Sequence, residues 1–254
     1  FLLVPIIISA DFFVVLNGGV CSVPLPEHFP NVFVIRRANI GFDFGGHRAA
    51  LEAAAAAGSR GSEADGLLQY ETFFFLNSGV IGPLLPPYVP PGALDWMLIF
   101  TRRLTDQVKL VGTTVVCLPS TDAGGLGPRV EGFFFVTDAI GLSLLLDEGT
   151  IFVDHATKRD AILNGEYAVS RTMLRHGYNL DSMLERYRGT DWRDPSTWSC
   201  NDNLHPSRHL SFYGRSIHPY EVVFHKWHWH GLPRVSFDAV CEHVGECLAD
   251  DNGG

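Results

Sequence analysis

The chain has 254 residues, 28 acidic against 19 basic, a net charge of −9 and a pI near 5.6. That balance excludes the basic stripe a nucleic-acid surface needs. A 46% hydrophobic and 12% aromatic content excludes disorder, and 26 Gly and 15 Pro without a period exclude a fibre. At this length one large α/β domain with a sizeable core is expected. No stretch approaches the roughly eighteen apolar residues that span a bilayer.

In chain order, the apolar run Phe1–Ala10 lacks a basic flank and reads as a buried strand rather than a leader. The missing initial Met reads as a fragment or a processed form. Pro5–Asn17 is β-branched and aromatic and stops at Asn17-Gly18-Gly19, which predicts a strand. Val32–Arg36 predicts a second strand. His47–Gly58, with its alanine block and terminal Gly, predicts a helix. Glu71–Leu76 predicts a third strand, nearly all apolar as for a strand covered on both faces. Strands alternating with helices imply βαβ units and a largely parallel sheet.

The Pro-rich stretch Gly82–Gly92 predicts an extended loop. Beyond it come a helix over Trp96–Leu104, strands over Val108–Val116 and Val130–Val136, and helices over Ala139–Leu146 and Glu166–His176. From Asp191 onward the pattern is unreadable, and the tail 248–254 reads as disordered. Neither a repeat nor a linker interrupts the chain. Five scattered Cys without a CxxC pair argue against a disulfide framework, while leaving room for one or two bridges in an oxidising compartment.

Two segments carry the chemistry. Asn31–Leu51 (NVFVIRRANIGFDFGGHRAAL) is a strand, a turn with Asn39 and Gly41, an acidic Asp43, then Gly45-Gly46 opening a helix. Such glycines let backbone approach a ligand, though a turn that merely requires Gly reads the same way, and GxGxxG spacing is absent. Residues 71–83 (ETFFFLNSGVIGP) place Asn77 and Ser78 just past the carboxyl end of an apolar strand. That is the usual ligand crevice of an α/β sheet.

Together these words resemble the GT-A-fold nucleotide-sugar glycosyltransferases. GFDFGG followed by FFFLNSGVIGPLLPPY is similar to glycosyltransferases of algae, their large viruses and bacterial rhamnan-synthesis-type proteins, over roughly residues 10–225. The resemblance implies a GT-A-like, Rossmann-like, mainly parallel twisted sheet flanked by helices, in one domain over 1–247. Its nucleotide-binding half would be 1–81 and its acceptor-binding half 82–247. It implies transfer of a sugar from a nucleotide-sugar donor to a glycan hydroxyl, with an inverting outcome favoured. Asn17, Asn39 and Asp43 would line the nucleoside side of the donor. Asn77 and Ser78 would stand where the family carries the DxD carboxylates that bind Mn²⁺ or Mg²⁺. Neutral oxygens there should hold a hard cation poorly, so metal dependence is left open.

Downstream, GEYAVSRTMLRHGYNL (165–180) resembles the family segment whose acidic residue faces the acceptor hydroxyl. Glu166 is therefore the first candidate for the catalytic base, the plainer alternative being a dipole-complementing residue in a first helical turn. Glu131 and Asp138 are further acceptor-side candidates. In the loop 191–226, Asp191, Trp192 and Arg193 are expected on the sugar, with Arg208 or His218 on the diphosphate. Trp192 could equally be a core anchor. His225, His228, His230, Cys241, His243 and Cys247 raise a structural zinc site, although no Cys/His finger spacing is present. Beside the transferase stand two other readings: a catalytically inactive GT-A-like domain that binds nucleotide or glycan, and a metal-binding module at the His-rich end. The compartment is left open between a secretory lumen and the cytoplasm.

Overall fold

The structure, a computed structural model, describes residues 10–226 apart from 19–20, 22, 59–65 and 91. The expected strand before residue 10, the tail 248–254 and the zinc candidates beyond His225 lie outside the described residues. The fold is mixed α/β. Its elements are β1 (Phe12–Asn17), β2 (Val32–Arg37), α1 (Phe42–Gly58), β3 (Thr72–Leu76), α2 (Trp96–Thr101), β4 (Val108–Gly112) and β5 (Val115–Leu118). There follow β6 (Gly127–Val130), β7 (Phe134–Asp138), α3 (Ala139–Asp147), α4 (Tyr167–Arg175), β8 (Asn179–Ser182) and the single turn α5 (Pro219–Val222). A π-helical turn, Ala161–Glu166, runs directly into α4.

The sheet corrects the largely parallel expectation. β1 and β2 form a parallel pair, with no helix between them among the described residues, but the four-stranded sheet runs β3-β7-β4-β8 with β7 antiparallel to both neighbours. Only β4 and β8 pair in parallel within it. β3 is nonetheless covered on both faces. Phe74 meets Trp96, Phe100 and Phe134 on one side, and Phe75 stacks on Phe135 and Phe152 on the other. This is the alternation a strand imposes on neighbouring side chains.

The predicted strands 108–116 and 130–136 each break in two. Gly112 pairs with Phe135 and Val115 with Val130, so two residues, Thr113-Thr114, face four, Glu131–Phe134. Two extra residues on one strand make a bulge, a feature that re-aims side chains. α1 starts five residues before the predicted His47, at Phe42. Its glycines are needed there: a Cβ at Gly41 or Gly45 would collide with Asp154, which pairs with Arg37 at 2.5 Å.

α1 also buries His47 among Phe75, Phe44 and Phe135, with ring centroids 5.1–6.1 Å away. Burial pushes this imidazole down to about 4, against a partial upward pull from Asp43. The unfolded chain takes up a proton near pH 6.5 that the folded chain refuses, so stability should fall as pH drops from about 6.5 towards 4, by on the order of 3 kcal/mol. Urea melts of wild type and His47→Phe across that window check this. The variant should lose part of the slope, and an unchanged slope would count against the assignment.

Candidate functional site

The site is built on the bulge. Its first three residues, Glu131, Gly132 and Phe133, each hold a different segment of the chain. Glu131 is buried, 3% exposed. One of its oxygens accepts from the hydroxyls of Thr114 and Ser207, and the other faces His205 Nδ1 at 3.4 Å. Facing a carboxylate, Nδ1 is the ring nitrogen placed to donate. Gly132 donates its N–H to Glu166 Oε1 at 3.1 Å. A Cβ at Gly132 would lie 2.5 Å from Glu166 Cγ, so only glycine lets that carboxyl lie flat on the bulge. Phe133 accepts from Asn77 N through its carbonyl at 3.0 Å, and Lys226 Nζ stands 5.6 Å from its ring centroid.

Glu166 ends the π-helical turn, a feature frequent at functional sites, and its side chain lies against Gly132. Burial pushes its carboxyl above the usual glutamate value. The Gly132 N–H pulls the other way, Glu131 adds to the rise, and Lys226 and His205 oppose it. Glu131, Glu166, His205 and Lys226 thus share one electrostatic neighbourhood.

The His205–Ser207 segment is delivered by an unusual loop. Asn201, Asp202 and Asn203 are left-handed in succession, with φ of 49°, 50° and 59°. Asn and Asp tolerate that region best, and the cost is met by contacts. Buried Asn201 donates to Leu204 O and Ser211 O and accepts from Tyr213 N. A disulfide, Cys117–Cys200, ties the loop's first residue to β5, so one of the bridges the sequence left room for is formed.

Five of the donor-side candidates, Asn17, Asn39, Asp43, Asn77 and Ser78, stand at or just past the carboxyl ends of β1, β2 and β3, and Arg208 and His218 belong to the later loop. Asn17 ends β1, its Nδ2 3.1 Å from where a Cβ would stand on Gly46 of α1, and Asn39 approaches Gly18. Asp43 in the first turn of α1 accepts from Asn77 Nδ2 at 3.0 Å, which joins the β1-β2-α1 unit to the end of β3. Ser78 follows in the exposed turn. Arg208 is exposed beside Ser207, and His218 caps α5 by accepting from Tyr220 N.

Other candidates stand elsewhere. Asp138 caps α3 and pairs with Lys109 at 2.6 Å. Arg193 binds Asp191 and reaches Gln107, which precedes β4. Thr114 lies beyond the other end of β4, roughly 20 Å away at about 3.3 Å per strand residue. Trp192 is 1% exposed and meets Tyr187 edge-on, so its ring serves the core and offers no face to a sugar. These four side chains take no part in the site described here.

A divalent cation fits this donor set poorly. Asn77 Oδ1 accepts from Gly79 N at 2.9 Å and its Nδ2 is turned to Asp43, so the carboxamide is spent within the chain. Among the described residues no cluster of three or more His, Cys, Asp or Glu has metal-binding spacing. Hard cations favour carboxylate oxygens, and Asp43 alone supplies them beside Asn77.

No protein-family model matches the chain. No curated protein matches it either. Among the described residues no helix is long and apolar enough to cross a membrane.

Proposed function

We propose that the chain is a nucleotide-sugar glycosyltransferase with a GT-A-like site, moving a sugar to a glycan hydroxyl. The observation that carries the reading is the Glu131-Gly132-Phe133 bulge. It places a half-buried carboxyl, Glu166, and an oriented imidazole, His205, against the strand that also holds the polar end of β3, where Asp43 and Asn77 meet. The mixed sheet is unlike the mainly parallel one of the resemblance, so the reading rests on the site rather than on the sheet.

In this scheme Asn17, Asn39 and Asp43 hold the nucleoside, and Asn77 and Ser78 border the diphosphate. Glu166 accepts the proton of the acceptor hydroxyl as that oxygen bonds to the anomeric carbon. The bond from that carbon to the diphosphate breaks, and its electron pair leaves with the nucleoside diphosphate. A raised carboxyl pKa makes Glu166 a better base while it stays ionised. His205, held at Nδ1 by Glu131, borders the acceptor side. The disulfide favours an oxidising compartment.

A thermal-shift panel of UDP-, GDP- and dTDP-sugars tests this. A ligand at about a hundred times its Kd adds ~2.7 kcal/mol, several degrees of melting temperature. At least one donor should do so, and none doing so would remove the reading. The neutral Asn77-Ser78 pair also favours a second reading, a binding domain without catalysis. Binding with neither transfer nor hydrolysis in a single turnover would select it.

A further inference from the structure

We propose that Lys226 supplies the positive charge for the diphosphate that a bound metal supplies elsewhere, making the site independent of divalent cations; this rests on the donor-site reading above. A diphosphate brought to the end of β3 needs an opposing charge, in a chain whose net charge is −9. The residues there do not provide a metal site, because Asn77 is consumed by Gly79 N and Asp43.

Lys226 stands at the turn that follows β3. Its Cε lies 3.7 Å from the position of a Cβ on Gly79, directly over the Asn77-Ser78-Gly79 turn. A side chain at residue 79 would compete with it for that space. The backbone leading to it is held firmly. His225 and Ile81 exchange hydrogen bonds at 2.9 Å in both directions, which locks residue 225 beside the β3 turn. Two residues earlier, Val223 sits at φ 64°, a conformation that a β-branched residue adopts only when its surroundings demand it. Phe224, 1% exposed and stacked 4.6 Å from Phe134, anchors the intervening position. Strain, an antiparallel bridge and a buried aromatic ring thus converge on placing one ammonium group. Phe133 lies under that group, and Glu166 lies close enough to feel its charge. A lysine is a compact point charge suited to phosphate, and a fixed one needs no metal recruitment.

The test is calorimetric binding of UDP, GDP and dTDP to the full chain, in EDTA and in Mn²⁺, with the parent nucleosides alongside. Wild type should bind one diphosphate equally, within about twofold, in EDTA and Mn²⁺. Lys226→Gln should weaken it by about tenfold or more, with nucleoside binding unchanged and no rescue by Mn²⁺. Lys226→Arg should recover most of the affinity, and melting curves of both variants report folding. Binding that requires Mn²⁺ overturns the proposal while leaving the donor-site reading intact. So does a Lys226→Gln variant that binds the diphosphate as wild type does. If neither nucleosides nor diphosphates bind under any condition, the donor-site reading fails and takes this inference with it.

Discussion

Glu166→Gln should slow sugar transfer by about 10²–10⁴-fold, the usual contribution of a positioned general base, and leave nucleotide affinity within about twofold. Glutamine keeps the oxygen that accepts from Gly132 N and the volume that lies on the bulge. It loses only the capacity to take a proton. Because burial raises the carboxyl of Glu166, the charged form is disfavoured in the fold, so the variant should melt at or above the wild-type temperature. Misfolding is thereby separated from lost chemistry. The pH profile gives a second readout. The wild-type rate should fall as pH drops through the raised value, above the 4.5 ordinary for glutamate, and that limb should vanish from the variant's residual activity. Near-normal transfer by the variant would remove Glu166 as the base and point to His205.

Breaking the Cys117–Cys200 bridge should have the largest effect on stability. The cysteines are 83 residues apart, for which the chain-entropy relation gives about 4.5 kcal/mol. In a domain of this size that is roughly 10 °C of melting temperature. The loss would also reach the site. The bridge pins the start of the left-handed Asn201–Asn203 turn to β5, and that turn carries His205 and Ser207 to Glu131. Cys117→Ser with Cys200→Ser should therefore lower transfer as well as melting temperature, and dithiothreitol should do the same to wild type. Peptide mapping should recover the linked pair only from the untreated protein. A reduced protein that melts and turns over like the oxidised one would contradict this.

Local sequence was a good guide where local physics decides. The apolar block Phe73–Leu76, the aliphatic run after Val32 and the Asp138-capped α3 lie close to where their patterns put them. It failed where distant contacts decide. Val108–Val116 and Val130–Val136 read as unbroken strands because Thr113, Thr114 and Phe133 are all good strand formers, and nothing in a two-residue period marks four residues opposite two. α1 begins early because Asp154, more than a hundred positions away, needs backbone without side chains. Glu166 and the Asp43–Asn77 region were legible through motif order. His205, Ser207 and Lys226 were not, since their placement depends on a disulfide, a left-handed turn and a strained Val223 that leave no periodic signal. The breaks in the two long strands coincide with the floor of the candidate site, where the bulge re-aims side chains.

Transfer from a nucleotide-sugar is decided by a single turnover with enzyme in excess over a radiolabelled donor. The donor is whichever sugar nucleotide stabilises the fold, and the readout is labelled sugar together with free nucleoside diphosphate. Wild type should release nucleoside diphosphate in step with sugar appearing on a glycan, or on water when no glycan is present, and Glu166→Gln should release it at least about a hundredfold more slowly. Quantitative recovery of intact donor from the wild-type reaction, with and without Mn²⁺, would rule out transfer by this chain.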